Sequence, residues 1–134
     1  MLGVDFGDSR TGIAFTETGI YADAVCVIFS RDIENTCKKI TEKAKELKAE
    51  KIILGYPINM DDTIGERGKR SELVAKRLRK LAEIEVVLWD ERLTTNEAYE
   101  LLKLNKKKDK SKIDAVAATV ILQSYIDNTE REML

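Results

Sequence analysis

Leu2-Gly3-Val4-Asp5-Phe6-Gly7-Asp8-Ser9-Arg10 opens the chain with a short apolar strand that ends by delivering a carboxylate into a glycine-bearing turn. Residues 2–6 suit a β-strand, Gly7-Asp8-Ser9 turns the chain, and Gly12-Ile13-Ala14-Phe15-Thr16 reads as the returning strand of a hairpin. A turn around Thr18-Gly19 leads to a third strand over residues 24–29, so the sheet is expected to begin as a three-stranded meander.

Beyond the meander the hydrophobic period lengthens. Ile33, Cys37, Ile40, Ala44 and Leu47 recur every three or four residues among Lys and Glu, which predicts an amphipathic helix over residues 32–48. Lys51-Ile52-Ile53-Leu54 is a continuous apolar run of the kind buried on both faces in a parallel sheet. A turn-rich loop from Gly55 to Gly65 carries the single proline, Pro57, and loops of this length are disproportionately functional. The next helix, over residues 66–82, is expected to bury Leu73, Val74, Leu78 and Leu81 and to present Arg70, Arg77 and Lys80 on its opposite face. Residues 85–89 form a fifth strand with Asp90-Glu91-Arg92 at its carboxyl end.

Thr94-Thr95-Asn96-Glu97 matches a capping box and predicts a helix from there to about Leu104. A basic loop over residues 105–112 and a last helix over residues 111–127 complete the chain. The expected fold is α/β, one domain over residues 1–134. Its five-stranded mixed sheet joins the meander to two parallel strands through right-handed crossovers and is flanked by helices.

Composition narrows the chemistry. The 23 Lys and Arg residues balance 24 Asp and Glu to a net charge of −1, so any basic face must come from how the charges are distributed. No apolar run reaches the ~20 residues of a membrane span and no secretory signal precedes the first strand, so a cytoplasmic protein is expected. Cys26 and Cys37 are expected as buried, reduced thiols. Histidine is absent, which removes Ser-His-Asp and Cys-His nucleophile systems and the usual zinc sites. A site built from carboxylates instead favours Mg²⁺ or Mn²⁺ and the phosphate substrates those cations accompany.

The carboxylates that could form it are Asp5, the Asp90-Glu91 pair and Asp114. Asp5 belongs to an apolar strand, where an acid is costly unless paired, hydrogen-bonded or bound to metal; acceptance of backbone N–H groups in the Gly7 turn is the structural alternative. If the first, fourth and fifth strands are parallel, Asp5 and the Asp90-Glu91 pair share the sheet edge where open α/β sheets bind ligands. Strand alternation lets only one of the pair face Asp5, and either acid could instead pair with Arg92. Asp114 fits a helix cap after Ser111, yet Ala118, Ile121 and Tyr125 lie four, seven and eleven residues on, so it heads an apolar stripe. Clustered carboxylates repel one another unless a cation sits among them, and two divalent ions can drive phosphodiester hydrolysis without histidine.

These motifs in order resemble the YqgF/RuvX family along essentially the whole chain. The residues that carry the resemblance are Val4-Asp5-Phe6-Gly7 with Arg10-Thr11-Gly12-Ile13-Ala14, Ile53-Leu54-Gly55-Tyr56-Pro57-Ile58-Asn59-Met60-Asp61, Asp90-Glu91-Arg92-Leu93-Thr94-Thr95, and Ile113-Asp114-Ala115-Val116-Ala117-Ala118 with Ile121-Leu122-Gln123. The resemblance implies a ribonuclease H-like fold and a nuclease, either processing pre-16S rRNA in ribosome maturation or acting as a Holliday-junction resolvase on branched DNA. It further implies that Asp5, an acid of the Asp90-Glu91-Arg92 motif and Asp114 are the catalytic, metal-binding acids; of the pair Glu91 is favoured, with Asp90 the alternate ligand, and Asn59 is expected to contact substrate. The family usually has Met-Asp-Gly after the proline loop, where this chain has Met60-Asp61-Asp62, a change that narrows the backbone choices and adds a charge.

Arg10 and Arg92, each beside an acidic motif, are candidates to contact the scissile phosphate or hold the acids. Lys103, Lys106, Lys107, Lys108, Lys110 and Lys112 precede Asp114; Lys107, Lys108 and Lys112 are expected to bind phosphates, the alternative being a solvated lysine run. The expected partner is structured nucleic acid, rRNA precursor or branched DNA, bound by a monomer or homodimer. A non-catalytic nucleic-acid-binding module of the same fold and a nucleotide-binding phosphotransferase using Asp5-Phe6-Gly7 are the rival functions.

Overall fold

The computed structural model describes residues 1–94 and 115–133. Strands β1 (Leu2–Asp5), β2 (Arg10–Phe15) and β3 (Asp23–Phe29) form the meander. Helix α1 (Ile33–Glu46) crosses over to β4 (Lys51–Tyr56), and α2 (Glu66–Ala82) crosses over to β5 (Glu85–Asp90). A 3₁₀ turn (Glu91–Leu93) follows, and helix α3 (Val116–Met133) returns across the sheet. The strand order is β3-β2-β1-β4-β5, with β1 antiparallel to β2 and β4 parallel to both β1 and β5, as the hydrophobic patterns predict.

The sheet buries both faces, and strand alternation sorts the side chains between them. Leu2, Val4, Ile13, Ile52, Leu54 and Val86 face α1 and α2, where Cys37, Ile40, Ala44, Val74 and Leu78 complete one core. Ala14, Ile53, Val87 and Trp89 face α3 and pack on Ala118, Ile121, Leu122 and Ile126. Gly3 lies on the α3 side, where a Cβ would stand 2.7 Å from Leu122 Cβ and 2.9 Å from the Ala118 carbonyl oxygen. Glycine at that position therefore lets α3 rest directly on β1.

Several expectations change, among them the end of the last helix, which runs on to Met133 rather than stopping near Asp127. Leu73 of α2 is 53% exposed and Leu81 half-buried rather than buried; Gly68, Ser71 and Ala75 join Val74 and Leu78 on the buried face, because α2 approaches its neighbours through small residues. A Cβ on Gly68 would stand 2.7 Å from Ile64 Cγ2 and 3.0 Å from the Pro57 carbonyl oxygen, so the proline loop packs against the start of α2. The fourth strand runs on past Leu54 to Tyr56, paired with β5 as far as Asp90. Both cysteines are free thiols, but Cys26 is half-buried on β3 whereas Cys37 is fully buried. Across α1 and α2, Arg77 grips Glu34 through Nε at 2.9 and 2.8 Å and through Nη2.

The Thr94 hydroxyl donates to the Glu91 carbonyl oxygen at 2.7 Å. The helix expected from there to Leu104, the basic loop and the expected start of the last helix before Ala115 lie outside the described residues. Among the described residues no helix is long and apolar enough to cross a membrane.

Candidate active site

The parallel strands β1, β4 and β5 bring their carboxyl ends to one sheet edge. Asp5, the last residue of β1, is two residues beyond Gly3 and so shares the face covered by α3. There it lines a cavity of about 300 Å³ together with Glu91, Arg67, Thr94 and the α3 residues Ala117 and Ile121. Two acids distant in sequence, and an arginine from the first turn of α2, thus bound one space.

The 3₁₀ turn separates the neighbouring acids Asp90 and Glu91. Asp90 accepts from the Arg92 backbone N–H at 2.9 Å and from its guanidinium Nε at 3.1 Å and Nη2 at 2.9 Å. Its carboxyl is held below the usual carboxylate range mainly by that guanidinium hydrogen bond. Glu91 turns over β4, where its Oε1 would lie 2.6 Å from a Cβ on Gly55. Helix α3 secures the turn: Ser124 Oγ accepts from Trp89 Nε1 at 3.1 Å and donates to the Leu93 carbonyl at 3.2 Å. Trp89 also meets Tyr125 edge-on at 5.2 Å.

Burial pushes the Asp5 carboxyl up to about 6, the nearby Glu91 charge adds to the rise, and Arg67 opposes it. Glu91 is likewise raised by burial, against the pull of Arg67. Two half-buried carboxylates, of which Glu91 raises the proton affinity of Asp5, form a hard-oxygen donor pair, and a divalent cation would relieve their repulsion. These donors suit Mg²⁺ or Mn²⁺. Among the described residues no group of three or more His, Cys, Asp or Glu side chains is placed to hold a metal ion, and Asp114 lies outside them. The α3 residues at the spacing that points to Asp114 face inward: Ala118 and Ile121 are buried and Tyr125 is half-buried.

The remaining candidates are scattered. Arg92 is committed within the protein, bonding Asp90, Asp62 Oδ1 at 2.8 Å and the Asn59 carbonyl at 3.2 Å. Asn59 uses its side chain to close the proline loop, donating from Nδ2 to Thr63 Oγ1 at 3.0 Å. Arg10 begins β2, with its guanidinium 5.9 Å above the Phe29 ring, beside a different cavity from the one lined by the acids. Lys107, Lys108 and Lys112 lie outside the described residues. Arg67 is the site residue that the sequence reading missed. Its signal was available: it stands in the first helical turn after the proline loop, three residues before Arg70 and hence on the same helix face.

Residues 1–128 match the family model described as "RuvX: Holliday junction resolvase". A protein of Acetivibrio thermocellus named "Putative pre-16S rRNA nuclease" is 40% identical over 96% of this chain and 95% of its own length. The protein of that name in Bacillus subtilis is 38% identical over 96% of this chain and 97% of its own. Among solved structures, Thermus thermophilus RuvC in complex with a Holliday junction substrate superposes with a TM-score of 0.61 at 8% identity, covering 96% of this chain and 94% of that one. The fowlpox virus resolvase in complex with Holliday junction DNA gives 0.59 at 12% identity over 96% and 99%. At such identities these likenesses establish the ribonuclease H-like resolvase fold.

Proposed function

The chain belongs to the RuvX family, and from that premise we propose that it is a divalent-metal-dependent nuclease that hydrolyses phosphodiester bonds in structured nucleic acid. Its role is processing of the 5′ end of pre-16S rRNA in the cytoplasm, performed by a single nuclease domain. The observation that carries this reading is the cavity in which Asp5 and Glu91, from the ends of β1 and β5, confront each other under the field of Arg67.

Asp5, Glu91 and Asp114 hold the ions. When bound, Mg²⁺ or Mn²⁺ supplies activation of the attacking water and stabilisation of the leaving oxygen. The protein's own part is positional. β1 fixes Asp5, the 3₁₀ turn and Gly55 fix Glu91, and the Arg92–Asp90 pair holds the turn that carries Glu91. Asp90 serves that scaffold and is not a ligand.

Cleavage of a pre-16S rRNA fragment and of a four-way DNA junction, with Mg²⁺ or Mn²⁺ titrated and Asp5→Asn compared with the wild type, tests the proposal. Metal-dependent cleavage of the RNA that is lost in Asp5→Asn is expected. Metal-independent cleavage, or an unaffected variant, overturns it. The family's description and the resolvase fold favour branched DNA as the second substrate; paired cuts in the junction by a homodimer would assign that activity instead.

A further inference from the structure

The acid-lined cavity does not end at the acids. Arg67 and Glu91 also wall a narrow neck of about 30 Å³, which adjoins a larger cavity of about 550 Å³ by sharing Phe6, Asp8 and Arg70 with it. That cavity in turn shares Ser9 and Arg31 with one of about 360 Å³ bounded by Arg10 and Phe29. The succession follows the turn after β1, passes the first turns of α1 and α2, and finishes at the end of β3.

Guanidinium groups mark each stage of this path. Arg67 stands at the acids and Arg70, one helical turn further along α2, at the neck. Arg31 lies at the junction of the two outer cavities, and Arg10 is at the far end. Arg70 is paired with Asp8, the one acid among the described residues lining the outer path, and both side chains are well exposed. At the end stands Phe29, 63% exposed with the Arg10 guanidinium over its ring, a flat apolar face open to a stacking partner. Elsewhere on α2, Arg77 and Arg79 are spent on Glu34 and on the Val86 carbonyl.

We propose that this arginine-marked groove is the track for a single strand of RNA leaving the active site, with Arg70 and Arg31 on successive backbone phosphates and Phe29 stacking a base at the far end. Guanidinium groups suit phosphate oxygens and impose no sequence, while an aromatic face accepts any base. An acidic polypeptide would meet the same arginines but gains nothing from a groove that opens onto two carboxylates. The choice of RNA rests on the nuclease reading above. Arg70 exchanges Asp8 for phosphate on binding, so Asp8 acts as a brake on affinity.

Binding of a fluorescently labelled single-stranded RNA oligonucleotide by the full chain, followed by anisotropy in EDTA to prevent cleavage, tests the track. Arg31→Gln and Arg70→Gln are each expected to weaken binding roughly five-fold and to lower the salt slope by about 0.7. Phe29→Ser should weaken it comparably with the slope unchanged, Asp8→Asn should strengthen it, and Lys45→Gln, on α1 and lining none of these cavities, should leave it unaltered. An Arg31→Gln, Arg70→Gln double variant with the wild-type circular dichroism and Tm that binds RNA as the wild type does overturns the track. DNA of the same sequence held more tightly than RNA through the same arginines overturns the assignment to RNA. Absence of cleavage under every divalent cation, with binding still dependent on Arg31 and Arg70, would refute the nuclease reading and leave the track standing.

Discussion

Glu91 rests on the bare backbone of Gly55: its Oε1 would lie 2.6 Å from a Cβ there, and Ile121 Cδ1 of α3 would lie equally close. One missing methyl group thus seats both the acid and the helix over it. Gly55→Ala is expected to destabilise the protein by about 1–3 kcal/mol, as overpacking does. It should also lower cleavage more than ten-fold by displacing Glu91. Wild-type activity in a stable Gly55→Ala variant would show that Glu91 is not held there for catalysis.

Asp90 and Glu91 should separate cleanly on substitution. Glu91→Gln is expected to abolish cleavage by at least 100-fold and to remove most of the rise in Tm that Mg²⁺ or Mn²⁺ gives the wild type by binding the folded state. Asp90→Asn breaks the clamp on Arg92, so it should lower Tm while keeping the metal-dependent rise. The reverse pattern would make Asp90 the ligand.

The raised Asp5 carboxyl sets a pH dependence with a definite sign. Its pKa of about 6 in the folded protein lies above its ordinary 3.8, so between these values the folded state binds more protons than the unfolded state. Stability therefore falls as pH rises through this window and stays lower above it. In the metal-free protein, Asp5→Asn should stabilise by on the order of 1–3 kcal/mol near pH 7.5, and the gain should vanish by about pH 4. Urea unfolding of both proteins across that range measures it; a gain that grows on acidification would refute the burial cost.

Asp62 has φ of 70°, the left-handed region that favours glycine, and its exposed carboxylate reaches Arg92. This is the position at which the chain departs from the family's usual glycine. An ion pair so exposed contributes little, so relief of the backbone dominates. Asp62→Gly is expected to raise Tm by roughly 2–4 °C, with cleavage at least retained. A lower Tm would mean that the Arg92 contact outweighs the strain.

The periodicities located every described strand and α-helix, and residues 66–82 were bounded as the structure has them. Leu73 escaped because an apolar stripe ranks residues by hydrophobicity, whereas the distance between α2 and its neighbours selects Gly68, Ser71 and Ala75. Alternation correctly required Asp90 and Glu91 to diverge but could not say which faced Asp5, since that depends on a 3₁₀ turn begun within the Asp-Glu-Arg motif. Arg67 draws its meaning from the cavity it borders; its place three residues before Arg70 marks a shared helix face but not the acids that face it.

β1 is bonded to a strand on each side, roofed by α3 on one face and by α1 and α2 on the other, with Gly3 admitting α3 to backbone contact. Amide hydrogens of Gly3 and Val4 should therefore exchange with deuterium only when the whole molecule opens, while those of the 3₁₀ turn escape through local fluctuations. The two acids are then mounted on parts of very different lifetime. The Ser124 and Arg92 contacts of the turn, rather than the ladder of the sheet, therefore decide how long Glu91 stays beside Asp5.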